Sequence, residues 1–348
     1  MCIRDRPTIV RNIAGSNSSR YTNGLSTSRF ISGLTNRSLS TRFSILRDSP
    51  CLNGVHMSDE GAVFDRHIHP LAPIPTGEIP TGLSKIRRVK AILFDVYGTL
   101  VISRSGDMDS HVLSHEQKRM LAGVLRRHGI DRTPENLIDS LKRTIENDHE
   151  NLRQEGIDYP EVDIVRAWET VLGNRDTARV KAFALEYELV VNPVYPMPGL
   201  EDLLSTCRGQ NRLLGIISNA QFFTPRLLER LLGASLDMCG FDPQLTFFSY
   251  RFRSAKPSSF MFEKAAEVFY HRRVAPASVL YVGNDMRNDI LPAKTVGFKT
   301  ALFAGDLRSL RRRADEARCR YLVPDVIITD LRQLIVDTDN PLAKRRHG

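Results

Sequence analysis

Four short segments of this chain carry side chains equipped for chemistry. Phe94-Asp95-Val96-Tyr97-Gly98-Thr99-Leu100 and Gly283-Asn284-Asp285-Met286-Arg287-Asn288-Asp289 each follow an apolar run, as does Ser218-Asn219, while Lys256-Pro257 precedes a helix-like stretch. Carboxylates, a hydroxyl and an ammonium can supply a nucleophile, hold an anion or bind a cation. Singly, each has an ordinary explanation. An Asp after a strand is often a cap or turn former, Ser-Asn is common turn chemistry, and a lone Lys usually faces solvent. Their joint occurrence, in order and at the ends of apolar runs, argues against coincidence.

The elements that must position these residues show in the hydrophobic pattern. Ala91-Ile92-Leu93-Phe94 is a short continuous apolar run, as expected for a strand buried on both faces of a parallel sheet. Residues 111–190 read as several amphipathic helices, one of them over Lys118–Leu125 and ending at Gly129, with no convincing strand. After a turn at Pro193–Gly199, strands at 213–217, 246–248, 279–282, 300–303 and 326–328 alternate with helices at 225–232, 260–270 and 289–296. Such alternation predicts a doubly wound, Rossmann-like α/β core, and in such sheets ligands sit at the carboxyl ends of the strands. All four segments fall at such ends.

These four segments resemble the ordered motifs of the haloacid-dehalogenase-like superfamily of hydrolases, over residues 90 to 335. The D-x-Y-G-T-L of the first segment and the acid-rich last segment are the specific ones. The resemblance implies an α/β core over 90–102 and 196–338, with an inserted helical cap over 103–195 that closes on the site. It implies Asp95 as covalent nucleophile, with Tyr97, Ser218 and Lys256 completing the catalytic set. Gly98, Thr99 and Asn219 would meet the substrate. Asp95, the Tyr97 carbonyl, Asp285 and Asp289 would hold Mg2+. A carboxylate nucleophile divides hydrolysis into two easier steps, and Lys256 with magnesium would stabilise the anionic oxygens as bonds change. Gly98 would let the backbone approach the ligand.

Two departures from the family pattern pull in opposite directions. The family's phosphatases usually carry a second Asp two residues after the nucleophile as general acid/base; here that residue is Tyr97. A phenol is a poor proton donor near neutrality, and this Tyr resembles the 2-haloacid dehalogenases, whose leaving halide needs neither proton nor metal. The acid-rich Asp285/Asp289 segment resembles the metal-binding motif of the phosphatases, although Asn284 replaces an Asp often found there. The metal motif is the heavier of the two. The first expectation is therefore magnesium-dependent hydrolysis of a small anionic phosphate monoester. Metal-independent 2-haloacid dehalogenation is the alternative, and a non-catalytic binding or regulatory protein is the third.

The rest of the chain bounds the partners. The net charge of +9 is concentrated at the N-terminus, where residues 1–50 hold eight arginines against Asp5 and Asp48. The clusters Arg311-Arg312-Arg313 and Lys344-Arg345-Arg346 lack interleaved aromatics and read as a solvated face and a tail, so no nucleic-acid partner is expected. No apolar run is long enough to span a bilayer, and five scattered cysteines fit a reducing, cytoplasmic setting. Residues 1–56 are Arg- and Ser-rich and acid-poor, like a transit peptide. Their opening instead resembles a translated sequencing-adapter scar, and the expectation is a spurious extension with the true start near Met57. Residues 57–89 read as an irregular lead-in and 339–348 as a tail. Of the polar residues in the helical region, His111, His115 and His128 are expected at the surface, and Arg104 is either exposed or an anion contact. Trp168 is expected in the helical core and Phe222, Phe223, Phe247 and Phe248 in core or hinge packing. Leu113, Leu121 and Leu125 face either that core or a partner, which leaves the oligomeric state open.

Overall fold

The computed structural model describes residues 57–86, 89–103 and 113–335, all within the unit Val55–Gly348. The readings made for residues 1–56, Arg104, His111, Lys344–Arg346 and the tail 339–348 lie outside the described residues.

Six parallel strands form the central sheet: β1 (Ala91–Phe94), β4 (Leu213–Ser218), β5 (Phe241–Phe248), β6 (Val279–Gly283), β7 (Lys299–Phe303) and β8 (Val326–Ile328). Their spatial order is β5-β4-β1-β6-β7-β8, which puts the first strand in the middle. Alternate residues serve opposite faces. Ile92, Phe94, Leu214, Ile216, Leu280 and Val282 enter one core, with residues of α6 (Leu200–Gly209) and α7 (Thr224–Leu232). Ala91, Leu93, Ile217, Val279 and Tyr281 enter the other, with α8 (Phe260–His271) and Ala293 of α9 (Leu291–Thr295). Burial on both faces is why these strands read as continuous apolar runs rather than alternating ones. The chain is a doubly wound α/β fold, as its sequence pattern predicted.

Between β1 and β4 the chain leaves the sheet. Two short antiparallel strands, β2 (Val101–Ile102) and β3 (Tyr195–Pro196), bracket four helices: α2 (His115–Arg127), α3 (Pro134–Gln154), α4 (Ile164–Leu172) and α5 (Thr177–Val191). Each helix opens on a side-chain cap, from Ser114, Thr133, Asp163 and Asp176 respectively. The helices share a core of their own around Leu121, Leu125, Trp168 and Phe183, so Leu113, Leu121 and Leu125 face inward. Trp168 is fully buried, with its ring edge-on to Phe183 and Tyr187 at 4.9 and 4.7 Å.

The irregular lead-in needs correction. Met57–His67 is a helix, α1. Its apolar residues are too few for a convincing period, and its stability comes from tertiary contacts instead. Phe64 is buried in the sheet core, Glu60 and Asp65 pair with Arg226 and Arg230 of α7, and Arg66 and His67 reach Glu186 of α5.

Candidate active site

Asp95 directly follows β1, and its backbone N–H donates to Val282 of neighbouring β6 at 2.9 Å, which fixes the residue to the middle of the sheet edge. The loop beyond it closes tightly: the N–H groups of Thr99, Leu100 and Val101 all donate to the Val96 carbonyl. Gly98 sits at φ +82°, and a Cβ there would lie 2.5 Å from Cβ of Ser309 and 2.8 Å from Nδ2 of Asn284. Glycine is therefore required here by the protein's own packing. Thr99 is fully buried, and its hydroxyl donates to Oδ1 of Asn284 at 3.2 Å, which positions that side chain.

Lys256 arrives from the loop before α8 and lies buried beneath the nucleophile. Its Nζ donates to Oδ1 of Asp95 at 2.7 Å, to Oδ1 of Asp289 at 2.6 Å and to the Tyr281 hydroxyl at 3.1 Å. Burial alone would lower its pKa, but the charges of Asp289 and Asp95 overcome that and raise it, so the ammonium is retained. Asn219 holds the Lys256 backbone at two points: its Oδ1 accepts from the Lys256 N–H at 2.7 Å and its Nδ2 donates to the Lys256 carbonyl at 3.1 Å. Its side chain thus aligns the lysine. Ser218 ends β4, fully buried, with its hydroxyl donating to the Asn219 carbonyl at 3.2 Å.

Asp289 reaches the same point through a single π-helical turn, Met286–Ile290, in which the Ile290 N–H bonds the Asp285 carbonyl at 3.2 Å. A Cβ on Gly283 would lie 2.3 Å from its carboxyl carbon, so that glycine makes room for it. Burial, opposed by Lys256 and assisted by Asp95 and Asp285, pushes the Asp289 carboxyl up to about 7. Asp285 turns elsewhere. It caps the π turn through the N–H groups of Arg287 and Asn288 at 2.8 and 3.2 Å, and receives Nε and Nη2 of Arg313 at 3.2 and 2.7 Å.

The proposed magnesium set is thereby changed. Asp285 is committed to Arg313 and to its cap, and among the described residues no three His, Cys, Asp or Glu side chains are gathered as a metal site. What remains is hard-oxygen chemistry at the nucleophile: Asp95, the Tyr97 carbonyl and Asp289. Three buried carboxylates here face two cations, leaving a surplus negative charge. A donor set of two carboxylates and a carbonyl fits magnesium, which keeps much of its own water.

The Tyr97 hydroxyl is hydrogen-bonded to Oγ1 of Thr224 at 2.8 Å. Burial first, then the charge of Glu188, and more weakly that of Asp95, push the phenol far above its usual range, so it is no proton donor near neutrality. Sequence reasoning missed Tyr281, Thr224, Arg313 and two buried glutamates. Glu161, in the loop before α4, accepts from Nε2 of Gln221 at 2.8 Å and from the Ser249 hydroxyl, joining the helices to the loops after β4 and β5. Arg313 belongs to a run read as a solvated face, yet its side chain is 14% exposed. Only Tyr281 left a trace, as a polar residue inside an apolar strand. His115 is exposed as expected, whereas His128 is half-buried against Glu186 at 2.9 Å.

A family model for haloacid dehalogenase-like hydrolases matches residues 89–297, more than half of the chain. The protein belongs to that family of hydrolases. No curated protein sequence matches it. Among solved structures, it is similar to a phosphatase of the family from Thermococcus onnurineus, at 19% identity and TM-score 0.43, covering 70% of this chain and 95% of that one. It is also similar to a 2-haloacid dehalogenase from Pseudomonas syringae, at 18% identity and TM-score 0.46, over 71% and 96% of the two chains. The L-2-haloacid dehalogenase from Xanthobacter autotrophicus matches at 20% identity and TM-score 0.42, over 71% and 97%.

Proposed function

We propose that this hydrolase cleaves a small phosphate monoester through a covalent intermediate on Asp95, beneath a cap formed by α2–α5. The observation that carries this reading is the Asp95–Lys256 contact. One carboxylate oxygen is fixed by a buried ammonium, while Oδ2 accepts no hydrogen bond from the described residues and is left to attack. Lys256 holds the nucleophile in one orientation and offsets charge on the substrate. Ser218 and the Asn219 N–H bind a substrate oxygen. Asp95, the Tyr97 carbonyl and Asp289 would hold magnesium, which supplies the positive charge that a phosphate dianion needs beside this surplus of carboxylates. A reducing, cytoplasmic setting suits the buried free thiols of Cys207, Cys239 and Cys319, and no described helix is long and apolar enough to cross a membrane.

One observation favours metal-independent 2-haloacid hydrolysis as a second reading: Tyr97 is tied to Thr224, and a departing halide needs no proton. Phosphate release from a panel of monoesters, with magnesium and with chelator, separates the two. Magnesium-dependent release that is lost in Asp95→Asn, and whose metal requirement weakens in Asp289→Ala, supports the phosphatase. Halide release from 2-haloacids in chelator, with no phosphate release, overturns it.

A further inference from the structure

Between the end of β5 at Phe248 and the start of α8 at Phe260, the segment that carries Lys256 has no partner strand in the central sheet. Other parts of the chain must hold it in place. We propose that Arg253 is a positioning residue for Lys256, fastening this segment to the loop between α3 and α4. The role rests on Asp95 and Lys256 acting together in hydrolysis, whichever of the two substrate classes above is cleaved.

The two segments meet as a short antiparallel pair. Pro160 lies opposite Ser254, the Glu161 N–H donates to the Arg253 carbonyl at 3.1 Å, and the Ala255 N–H donates to the Tyr159 carbonyl at 2.8 Å. Lys256 follows at once, its backbone gripped from the other side by Asn219. The segment is thus clasped between the loop after β4 and the loop between α3 and α4. Val162, next to Glu161, is buried in the core of the four helices, which anchors that side of the clasp.

Arg253 secures the pair through its side chain. Its Nη2 donates to Oδ2 of Asp148 on α3 at 2.9 Å, and its Nη1 lies 3.6 Å from Oδ2 of Asp163, the N-cap of α4. One guanidinium therefore reaches the helices on both sides of the loop it docks against. Its backbone stands at φ +54°, in the left-handed region that costs energy for a residue with a Cβ and none for glycine. Such a conformation persists where the surroundings hold it, and here they include two carboxylates from α3 and the cap of α4. Tyr159 adds a further tie, its hydroxyl accepting from Nη1 of Arg318 at 2.9 Å.

The consequence for the site follows from distance. Nζ of Lys256, three residues on from Arg253, meets Asp289, Asp95 and Tyr281 at 2.6, 2.7 and 3.1 Å. A displacement of the segment by about 1 Å would carry the ammonium out of hydrogen-bond reach of Asp95.

The test is Arg253→Gly, which relieves the backbone and removes only the side chain. Wild type and variant are assayed on p-nitrophenyl phosphate with magnesium and on 2-chloropropionate in chelator. On the substrate turned over, kcat should fall about 10-fold with KM nearly unchanged, as for a small misplacement of a reacting group. Arg253→Lys, which keeps a cation for Asp148, should recover part of the loss. Asp148→Asn alone should lower kcat, and added to Arg253→Gly should lower it no further. The thermal midpoint should move little, because ion pairs this exposed contribute little to stability. A readout without substrate is acetylation by acetic anhydride, followed by mass spectrometry. Labelling of buried Lys256, relative to exposed Lys264, should rise several-fold in Arg253→Gly. An unchanged kcat, a loss that Arg253→Lys does not lessen, additive effects of the two substitutions, or unchanged labelling of Lys256 would each overturn the role of Arg253. A wild-type protein inactive on both substrates would overturn the hydrolytic reading, and the labelling by itself then decides the role of Arg253.

Discussion

Lys256 keeps its charge where a lone buried ammonium would lose it, because two carboxylates lie within 2.7 Å of its Nζ. The converse also holds: without Lys256, Asp95 and Asp289 become two buried like charges. Lys256→Met should therefore destabilise the fold at pH 8 by about 3–5 kcal/mol, the usual result of removing one partner of a buried pair. The pH dependence has a definite sign. Asp289 titrates at about 7 in the folded protein, above its ordinary 3.8, so its contribution favours folding below that range and is lost as pH rises through about 7. The deficit of the mutant should shrink toward pH 5, read as its thermal midpoint relative to wild type. A mutant as stable as wild type at pH 8 would show that the pair contributes nothing. Asp95→Asn is milder, since Lys256 keeps Asp289, and should abolish turnover with only a small shift in thermal midpoint.

At the scale of elements, the four helices between β2 and β3 hold together through a core separate from that of the sheet. Trp168 is its largest side chain and is fully exclude from solvent along with Phe183. Trp168→Ala should cost about 3–5 kcal/mol, as for other buried large-to-small substitutions. The loss should appear first in amide exchange of α4 and α5, with β1, β4 and β6 still protected. Simultaneous loss of protection in helices and sheet would show that the two cores unfold as one. Glu186 ties α1, α2 and α5 together through two arginines and two histidines, a junction of 120 residues' separation between Arg66 and its partner.

At the scale of the whole molecule, Glu161 is the polar junction between the helices and the sheet. Its carboxyl group sits among the Ser249 hydroxyl, the Gln221 amide, the Val162 N–H and the charge of Arg253, itself paired with Asp148 and Asp163. Burial pushes it up to about 7, against hydrogen bonds that favour the ion. The folded state therefore favours the protonated form, and this contribution is lost as pH rises from 4.5 through about 7. Glu161→Gln should raise the thermal midpoint by several degrees at pH 8 and change it little at pH 5. A constant difference across that range would mean that Glu161 does not titrate there.

The amino-acid sequence by itself determined the α/β class, the buried first strand and the four segments that carry Asp95, Ser218, Lys256 and Asp289. Those features are local: buried parallel strands read as apolar runs, and polar residues just beyond them lie at the sheet's carboxyl edge. It also set the problem of Tyr97. Only the tertiary structure decided which partner each charge takes. Arg313 lies 28 residues from Asp285 and Arg253 lies 105 residues from Asp148, and no period or spacing links such pairs. Asp285 was read as a metal ligand from its motif alone, and its capture by Arg313 follows from how the loop after β7 returns over the sheet edge. The same holds for the side chains of Thr99 and Asn219, whose polar groups are engaged by Asn284 and Lys256. Side chains of one type serve packing, orientation or chemistry according to what surrounds them, and those surroundings come from distant parts of the chain.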